Sequence, residues 1–373
     1  MEVNKIYNEN CLDTLKQMPD EFLDCCITSP PYWSLRDYGH PDQLGLEDTP
    51  DEFASKLADV FDEVRRCLKP TGTLWVNLGD SYYNYRGENN RRSDKDLSAR
   101  NTIQRDCNNI DARPNELRQE GLKEKDLVGI PWMVAFELRR RGWWLRQDII
   151  WAKPNPMPES VKDRCTKSHE YIFLLSKSAQ YHFDHEAIQE PIAELSIARL
   201  AGNADGKFAL SNLEHTNDSP YASQHDMSRK GRDRTVGNRN GLGASTLDHK
   251  NVQYDGQTPH SFHLSRLDGT PDEIYEMRNK RDVWNVTTKS FKDAHFATFP
   301  ESLVYPMMLA GVPEGGLVYD PFFGAGTVGV VAHKLGRNWI GSELNPDYVA
   351  IAERRLEPYL AQGSLFAVTS NRG

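Results

Sequence analysis

The most regular pattern of apolar positions runs from residue 50 to 68. Phe53, Leu57, Val60, Phe61, Val64 and Leu68 recur at helical spacing and make one apolar stripe. Thr49 supplies an N-cap, Pro50 takes the first helical position and Glu52 completes a capping box. Pro70-Thr71-Gly72 ends the helix, and residues 73–78 read as a strand buried on both faces, as in parallel sheets. Residues 23–28 form an earlier apolar strand. Strand, helix and strand at this spacing predict a βαβ unit and an α/β sheet.

The same reading extends along the chain. Residues 3–7 predict a strand and 8–12 a short helix. Residues 128–142 predict a helix between Pro131 and Gly142, and 143–151 a strand. Residues 171–175 and 181–183 predict a hairpin pair. Pro300 opens a helix to residue 309. Residues 318–355 then read as strand, loop, helix, strand and helix. Two stretches break the pattern. Residues 84–126 are arginine-rich with few apolar positions, which predicts a long surface insertion. Residues 196–280 are rich in Gly, Asn, Ser, Asp and His, and Arg229, Lys230, Arg232, Arg234, Arg239 and Lys250 cluster there. This predicts a separate module, with 1–195 and 281–373 forming the two halves of the main domain.

Composition narrows the class. The chain has 373 residues, 38% hydrophobic and 27% charged, which fits a folded α/β domain with a smaller module. No run is long and apolar enough to predict a membrane span, and the opening residues lack the basic and apolar regions of a signal peptide. The six cysteines (11, 25, 26, 67, 107, 165) show no CxxC spacing and read as reduced thiols, with no disulfide frame or zinc site. The expected location is the cytoplasm, for a prokaryotic or phage-encoded protein. A net charge of −9 argues against nonspecific coating of nucleic acid, but leaves room for a local basic cleft.

Two stretches carry chemistry. The strand at 23–28 runs into Thr28-Ser29-Pro30-Pro31-Tyr32-Trp33. Neither proline can donate to a sheet ladder, so the chain must turn there. The turn presents a hydroxyl, rigid carbonyls and two aromatic rings at the carboxyl end of a strand, where open sheets bind ligands. Far along the chain, Asp320 ends a strand, Pro321-Phe322-Phe323-Gly324-Ala325-Gly326-Thr327 follows, and a helix begins. Such a loop brings backbone close to a ligand. The next strand ends in Glu343, near the ~20-residue spacing at which an acid grips ribose hydroxyls. Gly324, Gly326 and Gly329 also satisfy G-x-G-x-x-G, so spacing alone leaves a nicotinamide oxidoreductase open.

The pair of motifs resembles the amino-group DNA methyltransferases, which methylate cytosine N4 or adenine N6. The resemblance covers the chain outside 84–126 and 196–280. It implies a mostly parallel, Rossmann-like S-adenosylmethionine-dependent methyltransferase sheet. It also implies a circularly permuted order, with the catalytic motif first, an inserted target-recognition module at 196–280 and the cofactor motif last. By that resemblance Asp320, Phe322, Gly324, Gly326 and Glu343 hold the cofactor, with Thr298 and Pro300 on its methionine side. Asn10 and Cys11 fall where the family has an acid beside the adenine, and Asn10 departs from that pattern. The segment 143–154 matches the lining of the base pocket. By the same resemblance Ser29, Pro30, Pro31 and Tyr32 are the catalytic residues. Ser29 and the Pro30 carbonyl accept hydrogen bonds from the target amino group, Tyr32 stacks on the flipped base and Trp33 flanks it. Serine at position 29 resembles the cytosine-N4 members, with adenine N6 the alternative. A cytosine-C5 mechanism needs a cysteine after a proline, and no Pro-Cys occurs. The implied partners are double-stranded DNA, read by residues such as Asn238, Arg239 and Asn240, and a cognate restriction endonuclease. No metal is implied. An RNA or protein methyltransferase and a non-catalytic DNA-binding module are the other readings.

Overall fold

The computed structural model describes residues 1–35, 40–83, 119–192, 277–288 and 299–370. The chain divides into two compact units, one made of Met1–Glu190 with Asn279–Gly373 and the other of Pro191–Arg278. Most of the second unit lies outside the described residues, as do the basic cluster of 229–250, residues 84–118 and Thr298.

The first unit is built on one sheet. Its strands are β1 (Lys5–Tyr7), β2 (Leu23–Thr28), β3 (Leu68–Leu78), β4 (Trp144–Ala152), β5 (His169–Ser176), β6 (Val283–Asn285), β7 (Leu317–Asp320) and β8 (Asn338–Ser342). Among the described residues their order is β1-β8-β7-β2-β3-β5-β4-β6. All neighbouring pairs are parallel except those of β5, which runs antiparallel to both β3 and β4. The expected mostly parallel α/β sheet is therefore what the chain forms.

Helices cover both faces, and side-chain alternation along the strands decides what each face buries. Leu74, Val76 and Leu78 of β3 pack with Cys26 of β2 on one face. That face is covered by α1 (Cys11–Gln17), α2 (Pro50–Cys67) and α3 (Ile130–Arg140). Trp75, Cys25 and Ile27 point the other way, towards α4 (Glu301–Gly311), α5 (Thr327–Lys334) and α6 (Pro346–Ser370). In α2 the predicted stripe is wholly buried, and the Thr49 hydroxyl accepts from the Glu52 N–H at 3.1 Å. Asn345 caps α6 in the same way, its Oδ1 accepting from the Asp347 N–H at 2.9 Å.

Two sequence expectations need correction. β3 starts at Leu68 directly after α2, not at residue 73. Pro70 is tolerated because the β5 ladder begins only at Thr73, so no β5 partner needs the N–H that proline lacks. Residues 181–183 do not pair with β5. Both edges of β5 are already taken by β3 and β4, so this segment packs across the sheet and Phe183 stacks on Trp75 with centroids 6.2 Å apart.

Candidate active site

Sheet order brings distant parts of the sequence together. β2 lies beside β7, with Cys26 opposite Tyr319, so the turn after Thr28 and the loop after Asp320 leave adjacent strands at the same end. The two motifs touch directly, because the Thr28 hydroxyl donates to Asp320 Oδ1 at 2.6 Å. A cavity of about 480 Å³ opens at this edge. It runs from the ends of β8 and β7, across β2, to the ends of β3, β5 and β4.

The β7–β8 side is acidic. Asp320 is buried and its Oδ1 also accepts the Phe322 N–H at 3.0 Å. Burial pushes its carboxyl up to about 7, against the lowering effect of the Thr28 and Phe322 hydrogen bonds. Glu343 follows β8, and burial raises its carboxyl too. Its Oε2 accepts the Gly324 N–H at 2.7 Å and its Oε1 the Asn345 N–H at 2.9 Å. Gly324 has φ +50°, and a Cβ there would meet only the Phe322 carbonyl, at 3.9 Å, so the loop backbone stays open towards the cavity. Asn10 and Cys11 line the same side. Asn10 caps α1 through Oδ1, which accepts the Leu12 N–H at 3.0 Å. Burial pushes the Cys11 thiol up to about 12.

The β3–β5–β4 side is organised around Tyr32. Its hydroxyl donates to Glu170 Oε2 at 2.7 Å and accepts from Asn77 Nδ2 at 2.6 Å. Asn77 Nδ2 also lies 2.9 Å from Glu170 Oε2 and 3.4 Å from Ser29 Oγ. Lys153 pairs with Glu170 Oε1 and sits over the Trp151 ring, 4.3 Å from its centroid. Burial alone would raise the Glu170 carboxyl, but Lys153 and the two hydrogen bonds bring it below its usual value. Ser29, Pro30 and Pro31 complete this wall.

Of the residues singled out from sequence, Ser29, Pro30, Pro31, Tyr32, Asn10, Cys11, Asp320, Phe322, Gly324 and Glu343 line one cavity. Gly326 instead has φ +75° at the start of α5 and packs against Ala352 and Phe323. Pro300 is buried as the cap of α4, and its neighbour Phe299 lines the cavity. Trp33 does not flank the pocket. It is buried in the core, and its Nε1 donates to the Glu47 carbonyl at 2.9 Å. Within 143–154, Trp151 and Lys153 reach the cavity, whereas Trp143 is buried under α3. Glu170 and Asn77 were not foreseen. Asn77 carried a signal: it is an amide inside the apolar run 74–78. Glu170 lies at the start of a strand whose reversed direction, invisible in sequence, carries its first residues to the ligand edge.

Among the described residues, no group of three His, Cys, Asp or Glu side chains is placed to hold a metal ion. No described helix is long and apolar enough to cross a membrane. The donor set suits a cationic nucleoside: a buried carboxylate at Asp320, a half-buried one at Glu343, a backbone loop open to the cavity, and apolar contact from Phe322.

Comparison with known proteins agrees with this chemistry. A sequence profile described as DNA methylase, of the N6/N4 type, matches residues 23–354. Type II methyltransferase M.Cfr9I of Citrobacter freundii is 38% identical over 353 residues, covering 94% of this chain and 87% of that protein. Type II methyltransferase M.SmaI of Serratia marcescens is 36% identical over 356 residues, covering 94% of this chain and 90% of its own. Among solved structures, the PvuII DNA methyltransferase (cytosine-N4-specific) superposes with a TM-score of 0.52 at 15% identity, over 93% of this chain and 84% of its own, a likeness of fold. The oxidoreductase and non-catalytic readings fall away: the chain belongs to the N6/N4 DNA methylase family, whose methyl donor is S-adenosylmethionine.

Proposed function

We propose that this protein is a site-specific DNA methyltransferase that modifies the exocyclic N4 of cytosine in double-stranded DNA. The observation that carries the reading is the Thr28–Asp320 hydrogen bond, which joins the Ser-Pro-Pro-Tyr turn to the glycine loop in one cavity. S-adenosylmethionine supplies the methyl group as an electrophilic sulfonium when bound. Glu343 would hold its ribose hydroxyls, Asp320 and the Gly324 backbone would receive its polar groups, and Asn10, Cys11 and Phe322 would bound the rest. Thr298 and Pro300 belong to the methionine side in this reading.

A paired and stacked base exposes no amino lone pair, so the cytosine must leave the helix. Tyr32 then stacks on it. Ser29 Oγ and the Pro30 carbonyl accept hydrogen bonds from the two N4 hydrogens, which favours a pyramidal, nucleophilic nitrogen. The prolines fix that carbonyl in advance, so its dipole needs no reorganisation during transfer. The nitrogen would gain the methyl group as the donor's sulfonium becomes a neutral thioether, and would lose one proton to water, with no covalent enzyme adduct. Burial pushes the Cys25 thiol up to about 12, in keeping with a core rather than a nucleophilic role.

Serine at position 29 and the cytosine-N4 relative of the same fold favour N4 over adenine N6. The module at 196–280 reads the sequence, and the permuted order follows from the positions of the two motifs. The two named bacterial relatives favour a cytoplasmic enzyme acting beside a cognate restriction endonuclease. The test is methyl transfer from labelled cofactor to a DNA panel. Ser29→Ala should lower kcat by about 10- to 100-fold with cofactor affinity unchanged. Transfer by Ser29→Ala and Tyr32→Ala at the wild-type rate would remove both from the site.

A further inference from the structure

Tyr32 is held from two sides. Its hydroxyl is tied to Glu170 at 2.7 Å and to Asn77 at 2.6 Å. Its ring lies directly on the backbone of Gly79, where an added Cβ would come to 2.4 Å from Cε2 and 2.9 Å from Cδ2. Even the smallest side chain at 79 would displace the ring. Glu170 is itself fixed, since Lys153 occupies its second oxygen.

Stability is only part of the account of this carboxylate. The Lys153–Glu170 pair is 19% and 14% exposed, and for a pair so far from water the desolvation cost offsets most of the attraction. Its location gives a better account. Glu170 is the second residue of β5, opposite Trp151 of β4, and Asn77 lies near the end of β3. Both therefore stand on rigid strands at the edge where the base must lie. A ring tethered through its hydroxyl and floored by backbone has one plane available to it.

We propose that Glu170 is a positioning residue for methyl transfer, which with Gly79 as the floor fixes the plane of the Tyr32 ring that stacks on the flipped base. The proposal rests on the base-pocket reading above and deepens it: Tyr32 acts in an orientation that Glu170 imposes. Lys153 acts one step further back, by holding Glu170.

The test is a double-mutant cycle on duplex DNA, with kcat and cofactor affinity measured for each variant. Glu170→Gln and Tyr32→Phe should each lower kcat by about 10-fold, because small misplacement of a stacked group is costly in rate. Combined, they should again give about 10-fold, because both act on the one Tyr32–Glu170 tether, Glu170→Gln by replacing its charged acceptor with a neutral one and Tyr32→Phe by removing its donor. Cofactor affinity should stay within about 2-fold throughout, since the tether lies on the other side of the cavity. A combined loss near 100-fold, the product of the single losses, overturns the proposal. If Glu170→Gln loses cofactor affinity as well, Gly79→Ala carries the test: it should lower kcat by about 10-fold with affinity kept, and wild-type turnover overturns the proposal. Tyr32→Ala separates the two levels. Full transfer by that variant removes the base-pocket reading itself, whereas loss of transfer there with independent Glu170 and Tyr32→Phe effects removes only the positioning role.

Discussion

Asp320 sets function against stability at a single residue. Its carboxyl is raised from 3.8 to about 7 by burial, so the folded protein binds this proton more tightly than the unfolded chain. The stabilising effect of that proton is complete below the unfolded value of about 4 and is lost as pH rises through about 7. At pH 8 the ionised, buried carboxylate costs about 4 kcal/mol. Asp320→Asn should therefore raise the melting temperature at pH 8 by about 3 °C or more, with little change at pH 4. Calorimetry at the two pH values checks this. The same variant should bind S-adenosylmethionine at least about 10-fold more weakly at pH 8, because a charge-assisted contact is lost. Wild-type affinity should rise with pH across 7, whereas the variant's pH profile should be flatter. Glu343→Gln should also weaken binding by about 10-fold, measured by equilibrium titration, as the amide cannot accept two hydroxyls and two N–H groups equally. At this scale the sequence was legible where a residue type and a strand end coincide, as at Ser29, Asp320 and Glu343. It was not legible for Glu170, whose role depends on which way β5 runs.

Elements were readable where one periodicity dominated. The stripe of α2, its Thr49 cap and its Pro50 start all appear in the fold as expected. Phe61 is fully buried between α2 and the sheet, so Phe61→Ala should destabilise the protein by about 3–5 kcal/mol in denaturant titration. Thr49→Ala should cost about 1 kcal/mol, through the lost hydrogen bond to the Glu52 N–H. The segment 181–183 was misread because alternation alone does not say which strand edges are free. Residues 68–72 were misread because proline and glycine usually interrupt strands, and only the fold shows that β5 joins this strand from Thr73 onward. Trp33 was misplaced for a related reason. An aromatic residue after a catalytic turn suggests a stacking partner, but its indole is buried in the core and bonded to the Glu47 carbonyl.

Across the whole molecule, the site exists because the sheet order places the third strand from one edge, β7, beside the fourth, β2. Two motifs almost three hundred residues apart then share a hydrogen bond and a cavity. Their pairing was legible in sequence because each ends a strand in a loop of special backbone geometry, while their adjacency came only with the fold. A net charge of −9 on a DNA-modifying enzyme places the burden of DNA contact on local basic stretches rather than on the overall field. The most direct measurement is base-resolution modification sequencing of DNA from cells expressing this chain, beside cells expressing Ser29→Ala. The account predicts N4-methylcytosine at one short sequence throughout the genome, absent or strongly reduced with the variant. N6-methyladenine at a defined sequence would contradict the cytosine assignment, and no amino-methylated base at all would contradict the site itself.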